Sequence, residues 1–194
     1  MLRRLPLPPA PAASSGPSGT AEAAAPAQAG GVGAEEFRAA LGRLAAGVVL
    51  VTAREKDNGD DAGMTATAFL SVSLEPPLVL VSVRTGSRMD DILAEQSLWA
   101  VSLLDETQKE VAAGFATKGR LSDRLLIQDL RCKRGAVTGA PLIPEALASL
   151  ECVTEQRTEA GDHTLIIGRV LSTRLGEGER GPLAYYRGRF RGLI

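Results

Sequence analysis

Apolar side chains first recur at helical spacing at Phe37, Leu41 and Leu44. With Glu35 and Glu36 in the first turn and Gly47 available to end it, this stretch predicts a short amphipathic helix. The pattern then shortens to that of strands. Positions 48–53 are apolar and rich in valine, 56–63 are dense in Asp, Asn and Gly, and 64–69 resume an extended pattern, which predicts a hairpin. Pro76-Pro77 punctuates the chain before two further strand-like runs at 78–83 and 98–103. Between those runs Ser87-Arg88-Met89-Asp90 has the N-cap and acidic third position that open a helix. Asp105-Glu106-Thr107-Gln108 repeats the signature and predicts a second helix reaching about Phe115.

In the last third, 147–156 and 164–173 have strand character and are joined by the polar stretch 158–162, a second predicted hairpin. Leu183-Ala184-Tyr185-Tyr186 supplies a final strand. Hairpin joins with helices inserted at intervals, rather than alternating regularly with strands, predict a mainly β fold, an antiparallel barrel and not a doubly wound parallel sheet. Residues 1–31 are almost entirely Ala, Pro, Ser and Gly without apolar periodicity, so they read as a flexible tail ahead of a domain over 32–194.

The 194 residues suit one domain, and 22 basic against 23 acidic residues leave a net charge of -1, with no overall positive field to hold a nucleic acid. Two cysteines, Cys132 and Cys152, and one histidine, His163, are too few for the usual zinc sites and read as reduced thiols of a cytoplasmic protein. No apolar run approaches a membrane span, and prolines break the segment after Arg3-Arg4 where an export signal needs an apolar helix.

Gly176-Glu177-Gly178-Glu179-Arg180-Gly181 matches the dinucleotide fingerprint letter for letter, yet Pro182 leads into a strand where the chemistry needs a helix, so a surface turn is expected. Asp162-His163 has no nucleophile elbow to serve. Two stretches carry more. Positions 63–77 are small and hydroxylated, which leaves backbone groups open to a flat ligand, although an Ala/Thr-rich strand with a proline turn accounts for the same composition. Arg84-Thr85-Gly86-Ser87 enters a helix whose free N–H groups attract phosphate, and ordinary capping by Ser87 is the alternative.

The run GMTATAFLSVSLEPPLVLVSV, then RTGSR, Phe115-Ala116-Thr117-Lys118, Gly161-Asp162-His163 before LIIGRV, and PLAYYRG near the end together resemble the short-chain flavin reductases. These are the small reductase components of two-component flavin-dependent monooxygenases, built on an FMN-binding split β-barrel. The resemblance spans about Phe37 to Leu193 and keeps the order of its motifs. It implies that Thr65, Ala66, Thr67 and Ala68 line the isoalloxazine ring. Ser82, Val83 and Ser87 would follow the ribityl chain and phosphate, with Phe115, Ala116, Lys118 and Arg120 completing the site. His163 would lie near the nicotinamide and flavin rings, and Tyr186 would contribute from the last strand. Members often carry Asn or Ser where this chain has Ala68, so a side-chain bond to the flavin is not expected there.

The implied activity is an NAD(P)H:flavin oxidoreductase, NADH favoured over NADPH, that reduces FAD or FMN and supplies it to a partner monooxygenase. The family implies a homodimer with flavin near the subunit interface. Hydride transfer between two cofactors needs stacking and distance more than acid or base groups, which suits a chain with one histidine and 4% aromatic residues. The alternatives are a non-catalytic flavin-binding or electron-carrying module on the same barrel and an oxidase of the pyridoxamine-phosphate type. The GDH and SVSLEPP elements weigh against the latter.

Overall fold

Val49-Leu50-Val51-Thr52-Ala53 carries no polar alternation, the pattern of a strand covered on both faces, and all five side chains are buried. The computed structural model describes residues 31–117, 119 and 122–193. The Ala/Pro-rich segment 1–30 and the candidate site residues Lys118 and Arg120 lie outside them. In chain order the elements are α1 (Ala34–Leu41), β1 (Ala46–Gly47), β2 (Val49–Arg54), β3 (Asp61–Ala66), β4 (Phe69–Leu74), β5 (Pro77–Arg84), α2 (Arg88–Glu95) and β6 (Leu98–Leu103). There follow α3 (Lys109–Ala116), α4 (Asp123–Asp129), β7 (Lys133–Arg134), β8 (Pro141–Leu142), β9 (Ala148–Ala160), β10 (His163–Leu175), β11 (Leu183–Tyr186) and β12 (Arg189–Gly192).

Seven strands pair in the order β3-β2-β6-β9-β10-β5-β4, and every ladder is antiparallel. Smaller sheets join β1-β11-β12 and β7-β8. Laid flat, seven strands at about 4.8 Å spacing would hold β3 and β4 about 29 Å apart. Only Thr67 and Ala68 connect them, and three peptide steps reach at most about 11 Å. The sheet therefore curls until the end of β3 and the start of β4 lie within that reach, an antiparallel split barrel with a seam at Thr67–Ala68.

The inner face closes on Val49, Val51, Ala62, Ala66, Val81, Val83, Trp99 and Ile166, with Met89, Ile92 and Leu93 of α2 packed against it. Trp99 is fully buried and donates from Nε1 to Thr154 Oγ1 at 3.1 Å. A Cβ at Gly168 would fall 2.3 Å from Trp99 Cζ2, so β10 has glycine where the indole crosses it. On the other face of β2, Leu50 packs with Ala112 and Phe115 of α3, Ile127 of α4 and Leu183 of β11.

The expected hairpins at β2–β3 and β9–β10 and the helix after Ser87 form. Four expectations shift. The first helix stops at Leu41, and Gly47 is a strand residue pairing with Ala184. The extended run 64–69 is divided between β3 and β4, because β2 and β5 compete for its two halves. The ladder of β9 with β10 continues through 158–160 to a tight turn at Gly161-Asp162, so the polar stretch is strand and not loop. Asp105 does not cap a helix: its carboxylate accepts from the N–H and hydroxyl of Thr107 and from Arg180, and α3 opens four residues later at Lys109. The Gly176–Gly181 stretch joins β10 to β11 with no helix after it, as the surface-turn reading expects.

Candidate functional site

Alternation along β3 turns Ala62, Met64 and Ala66 to the inner core and Gly63 and Thr65 to the outside, where α3 and α4 cover them. Gly63 is required there. A Cβ on it would lie 2.6 Å from Phe115 Cε1, so its absence lets the buried ring rest directly on the strand. Thr65 Oγ1 donates to Ala112 O at 2.7 Å, and Gly63 N–H donates to Asp123 at 3.1 Å. Helices α3 and α4 thus clamp β3 immediately before the seam.

At the seam Thr67 and Ala68 are exposed, and Ala68 O accepts from Ser82 N–H at 3.0 Å. That bond sets the seam beside the last turn of β5. Here β5 runs into Arg84-Thr85-Gly86-Ser87, with Gly86 at φ 69°, a conformation glycine adopts without strain. Ser87 caps α2 by accepting from Asp90 N–H at 3.3 Å. His163, the first residue of β10, pairs across the ladder with Arg84, and Thr85 N–H donates to Asp162 O at 3.1 Å. The β9–β10 turn is thereby tied to the 84–87 loop.

The His163 ring is half-exposed, and its Nδ1 lies 2.8 Å from Asp162 Oδ1. A carboxylate accepts only, so in the neutral ring the proton sits on Nδ1 and Nε2 is left as an acceptor. The imidazole beside it holds the Asp162 carboxyl below its ordinary range. Burial alone would raise the carboxyl of Asp90, but the Gly86 N–H, the Arg157 guanidinium and the Thr164 hydroxyl outweigh it and hold it low.

The N–H groups of Thr85, Gly86 and Ser87 are all taken within the fold. Thr85 gives its N–H to Asp162 O, Gly86 to Asp90 Oδ2 at 3.0 Å, and Ser87 to Arg84 O at 3.1 Å. A phosphate at this end would instead meet the Ser87 hydroxyl, whose hydrogen is not used in capping, and the exposed Arg84, which forms no ion pair among the described residues. Arg88, next along, is held by Glu55 at 2.6 Å. The exposed small residues of the seam, the Ser87 hydroxyl and the half-exposed imidazole fit a flat ring with an anionic tail, the shape and charge of a flavin mononucleotide.

Of the residues expected from sequence, the structure brings Thr67, Ala68, Ser82, Val83, Ser87 and His163 to one end of the barrel. Ala66 and Val83 point their side chains into the core, so only their backbone faces outward. Thr65 and Phe115 stand behind the seam and support it, and Ala116 ends α3, exposed. Tyr186 belongs to the separate β1-β11-β12 sheet, its ring 5.3 Å from the Arg187 guanidinium. Arg84, Asp90 and Arg157 also lie at this end of the barrel and were not singled out from the sequence. Arg84 stood inside the quoted motif, whereas nothing local pairs Asp90 with a residue 67 positions away.

Two cavities lie elsewhere, about 460 Å³ beside the β2–β3 turn and α4, and about 520 Å³ between β8 and the end of β10; neither is lined by a residue of the seam, the 84–87 loop or the β9–β10 turn, although Gly176, Glu177 and Arg180 of the glycine-rich turn border the second.

A 42% identical relative in Rhodococcus sp, named an NADH-dependent flavin reductase, aligns over 158 residues, 81% of this chain and 85% of its own. The reductase component of 4-hydroxyphenylacetate 3-monooxygenase from Thermus thermophilus is 38% identical over 82% of this chain and 97% of its own. Among solved structures, BorF, the flavin reductase component of a bacterial two-component tryptophan halogenase, superposes with a TM-score of 0.76 at 38% identity. That match covers 82% of this chain and 97% of BorF. Residues 41–193 match the model of the flavin reductase like domain, which takes in the seam, the 84–87 loop and His163 together, and the chain belongs to that family.

Proposed function

We propose that this protein is an NADH-dependent flavin reductase that reduces FMN or FAD and passes the reduced flavin to a separate oxygenase. The observation that carries the reading is the convergence of the Thr67–Ala68 seam, the Ser82–Ser87 segment and His163 at one end of the barrel, in a chain whose relatives are named for this activity. Flavin and nicotinamide, when bound, supply the hydride chemistry themselves. What the chain supplies is placement. The seam offers backbone and small side chains to a flat ring, the Ser87 hydroxyl and Arg84 meet the anionic tail, and His163 stands at the edge with its tautomer fixed by Asp162. No proton transfer by a side chain is required, so a single neutral imidazole suffices as a platform.

The protein works as a homodimer in the cytoplasm. Helix α1 has no buried residue and exposes Phe37 and Leu41, Leu44 is exposed just after it, and edge strand β4 exposes Leu70, Val72 and Leu74, the last 90% accessible. Apolar surface on that scale favours a partner, and a second copy of the chain would cover it. Both cysteines are free thiols, which suits a reducing compartment.

The deciding experiment is steady-state NADH oxidation with FMN, FAD and riboflavin compared. NADH consumption that rises with flavin and saturates is the expected result. Flavin binding without NADH consumption would instead make the protein a non-catalytic flavin carrier.

A further inference from the structure

The shape of the 84–87 loop depends on where its N–H groups go, and two of them leave the loop, that of Thr85 for Asp162 O and that of Gly86 for α2. Gly86 N–H reaches forward to Asp90 Oδ2 at 3.0 Å, one turn into α2. Asp90 Oδ1 accepts from Arg157 on β9 at 2.7 Å, and the Asp90 carboxylate is also bonded by the Thr164 hydroxyl. That hydroxyl lies 3.3 Å from Thr85 Oγ1, so Asp90 ties three segments, the loop, β9 and β10, at one point. The pair is well covered, the Asp90 side chain 10% and the Arg157 side chain 28% accessible. Arg157 keeps a second nitrogen, Nη1, buried without a hydrogen-bond partner among the described residues, so one carboxylate does not exhaust its capacity.

An ionised carboxylate at the start of α2 suits the helix but sets a negative charge beside the place an anionic ligand would occupy. At 4 Å, two like charges near a protein surface repel strongly enough to shift an affinity by orders of magnitude unless a cation intervenes. Arg157 is that cation. Arg88, the other arginine at this helix start, is spent on Glu55 and Asp123.

We propose that Asp90 and Arg157 are positioning residues for a phosphate-bearing flavin: Asp90 fixes the 84–87 loop through Gly86 N–H, and Arg157 cancels the charge that would otherwise repel the phosphate. The proposal rests on reading 84–87 as the phosphate end of the flavin site. It makes discrimination between phosphorylated and plain flavins depend on a pair that need not touch the ligand.

The test is equilibrium titration of the full chain, without NADH, following flavin fluorescence with FMN and with riboflavin, which has no phosphate. Arg157→Met should raise the Kd for FMN about tenfold or more and that for riboflavin less than about twofold. Adding Asp90→Asn to Arg157→Met should recover most of the FMN affinity, because the uncompensated charge is gone. Arg157→Lys, which keeps the charge in a less disruptive change, should stay within about threefold of wild type for FMN. Equal weakening of both flavins by Arg157→Met, or no recovery in the double variant, overturns the proposal. Ser87→Ala separates the two levels. If it shifts the FMN to riboflavin ratio while Arg157→Met does not, the pair is wrong and the site reading stands. If neither shifts the ratio, the loop is not the phosphate end and both fall.

Discussion

Replacing Gly63 by alanine adds one methyl group where the structure has no room for it. The new Cβ would sit 2.6 Å from Phe115 Cε1, 2.8 Å from Cδ1 and 3.4 Å from Cζ. Carbon atoms pack best at about 3.5–4.0 Å, so roughly 1 Å of separation must be found. Phe115 is 3% accessible and enclosed by its neighbours, so the ring has no open side to rotate into. Either α3 lifts or β3 bends. Both movements strain the bonds from Thr65 Oγ1 to Ala112 O and from Gly63 N–H to Asp123. Overpacking of this kind costs about 1–3 kcal/mol, and each weakened bond adds up to about 1 kcal/mol, so Gly63→Ala should cost about 2–4 kcal/mol. Urea unfolding should show a midpoint lower by about 1–2 M at unchanged slope. Because the strand that bends leads into the seam, the flavin KM should rise as well. Phe115→Leu, which removes the colliding ring atoms, should recover about 1 kcal/mol or more in the Gly63→Ala background. A Gly63→Ala protein within about 0.5 kcal/mol of wild type, or strict additivity in the double variant, would refute the steric account.

His163→Ala should leave folding and flavin affinity nearly intact while raising the NADH KM or lowering turnover by about tenfold to a hundredfold, since a misplacement of about 1 Å carries that penalty. Wild-type NADH kinetics in that variant would reduce the residue to a turn former. Stability should fall in acid. The carboxyls of Asp105 and Glu151, like that of Asp90, are raised by burial but more than compensated, Asp105 by Thr107 and Arg180 and Glu151 by Thr138 and Val137. A folded-state pKa below the unfolded value of about 4 gives stability that is full above that value and lost as pH drops through the folded one. Urea midpoints measured downward from about pH 6 should therefore hold and then decline below about pH 4, less steeply in Asp105→Asn. A midpoint flat or rising into acid would contradict the assignment.

Much of this architecture was legible from local pattern, and the part that was not has a physical reason. Val49 to Ala53 announces a doubly covered strand, and Ser87 with Asp90 three residues on announces α2. The seam left no mark, because Thr67 and Ala68 are neither Gly nor Pro, and the bend is imposed by which strands pair on either side. Helix α4, only seven residues long, lay unnoticed between charged neighbours. At the proposed site, the order of motifs singles out Ser82, Ser87 and His163, and the alternation of β3 explains why Thr65 and Phe115 lie behind the seam. The fate of the Thr85 N–H was invisible, since its acceptor, Asp162 O, is distant in sequence, whereas Gly86 and Ser87 bond to Asp90 and Arg84 within four residues.

The tie between the 84–87 loop and the β9–β10 turn also bears on when, during folding, the protein gains its ligand site. The hairpins β2–β3, β4–β5 and β9–β10 join neighbouring segments and close short loops. The ladder of β5 with β10, by contrast, brings Thr85 to Thr164 across 79 residues, and its loop-closure entropy is met only once the intervening strands have docked. Until then the half-site carrying the seam and loop and the half-site carrying the imidazole belong to separate pieces of chain. At the proposed site, flavin present during refolding should therefore stabilise the chain only once the β5–β10 ladder has formed, and not the isolated hairpins.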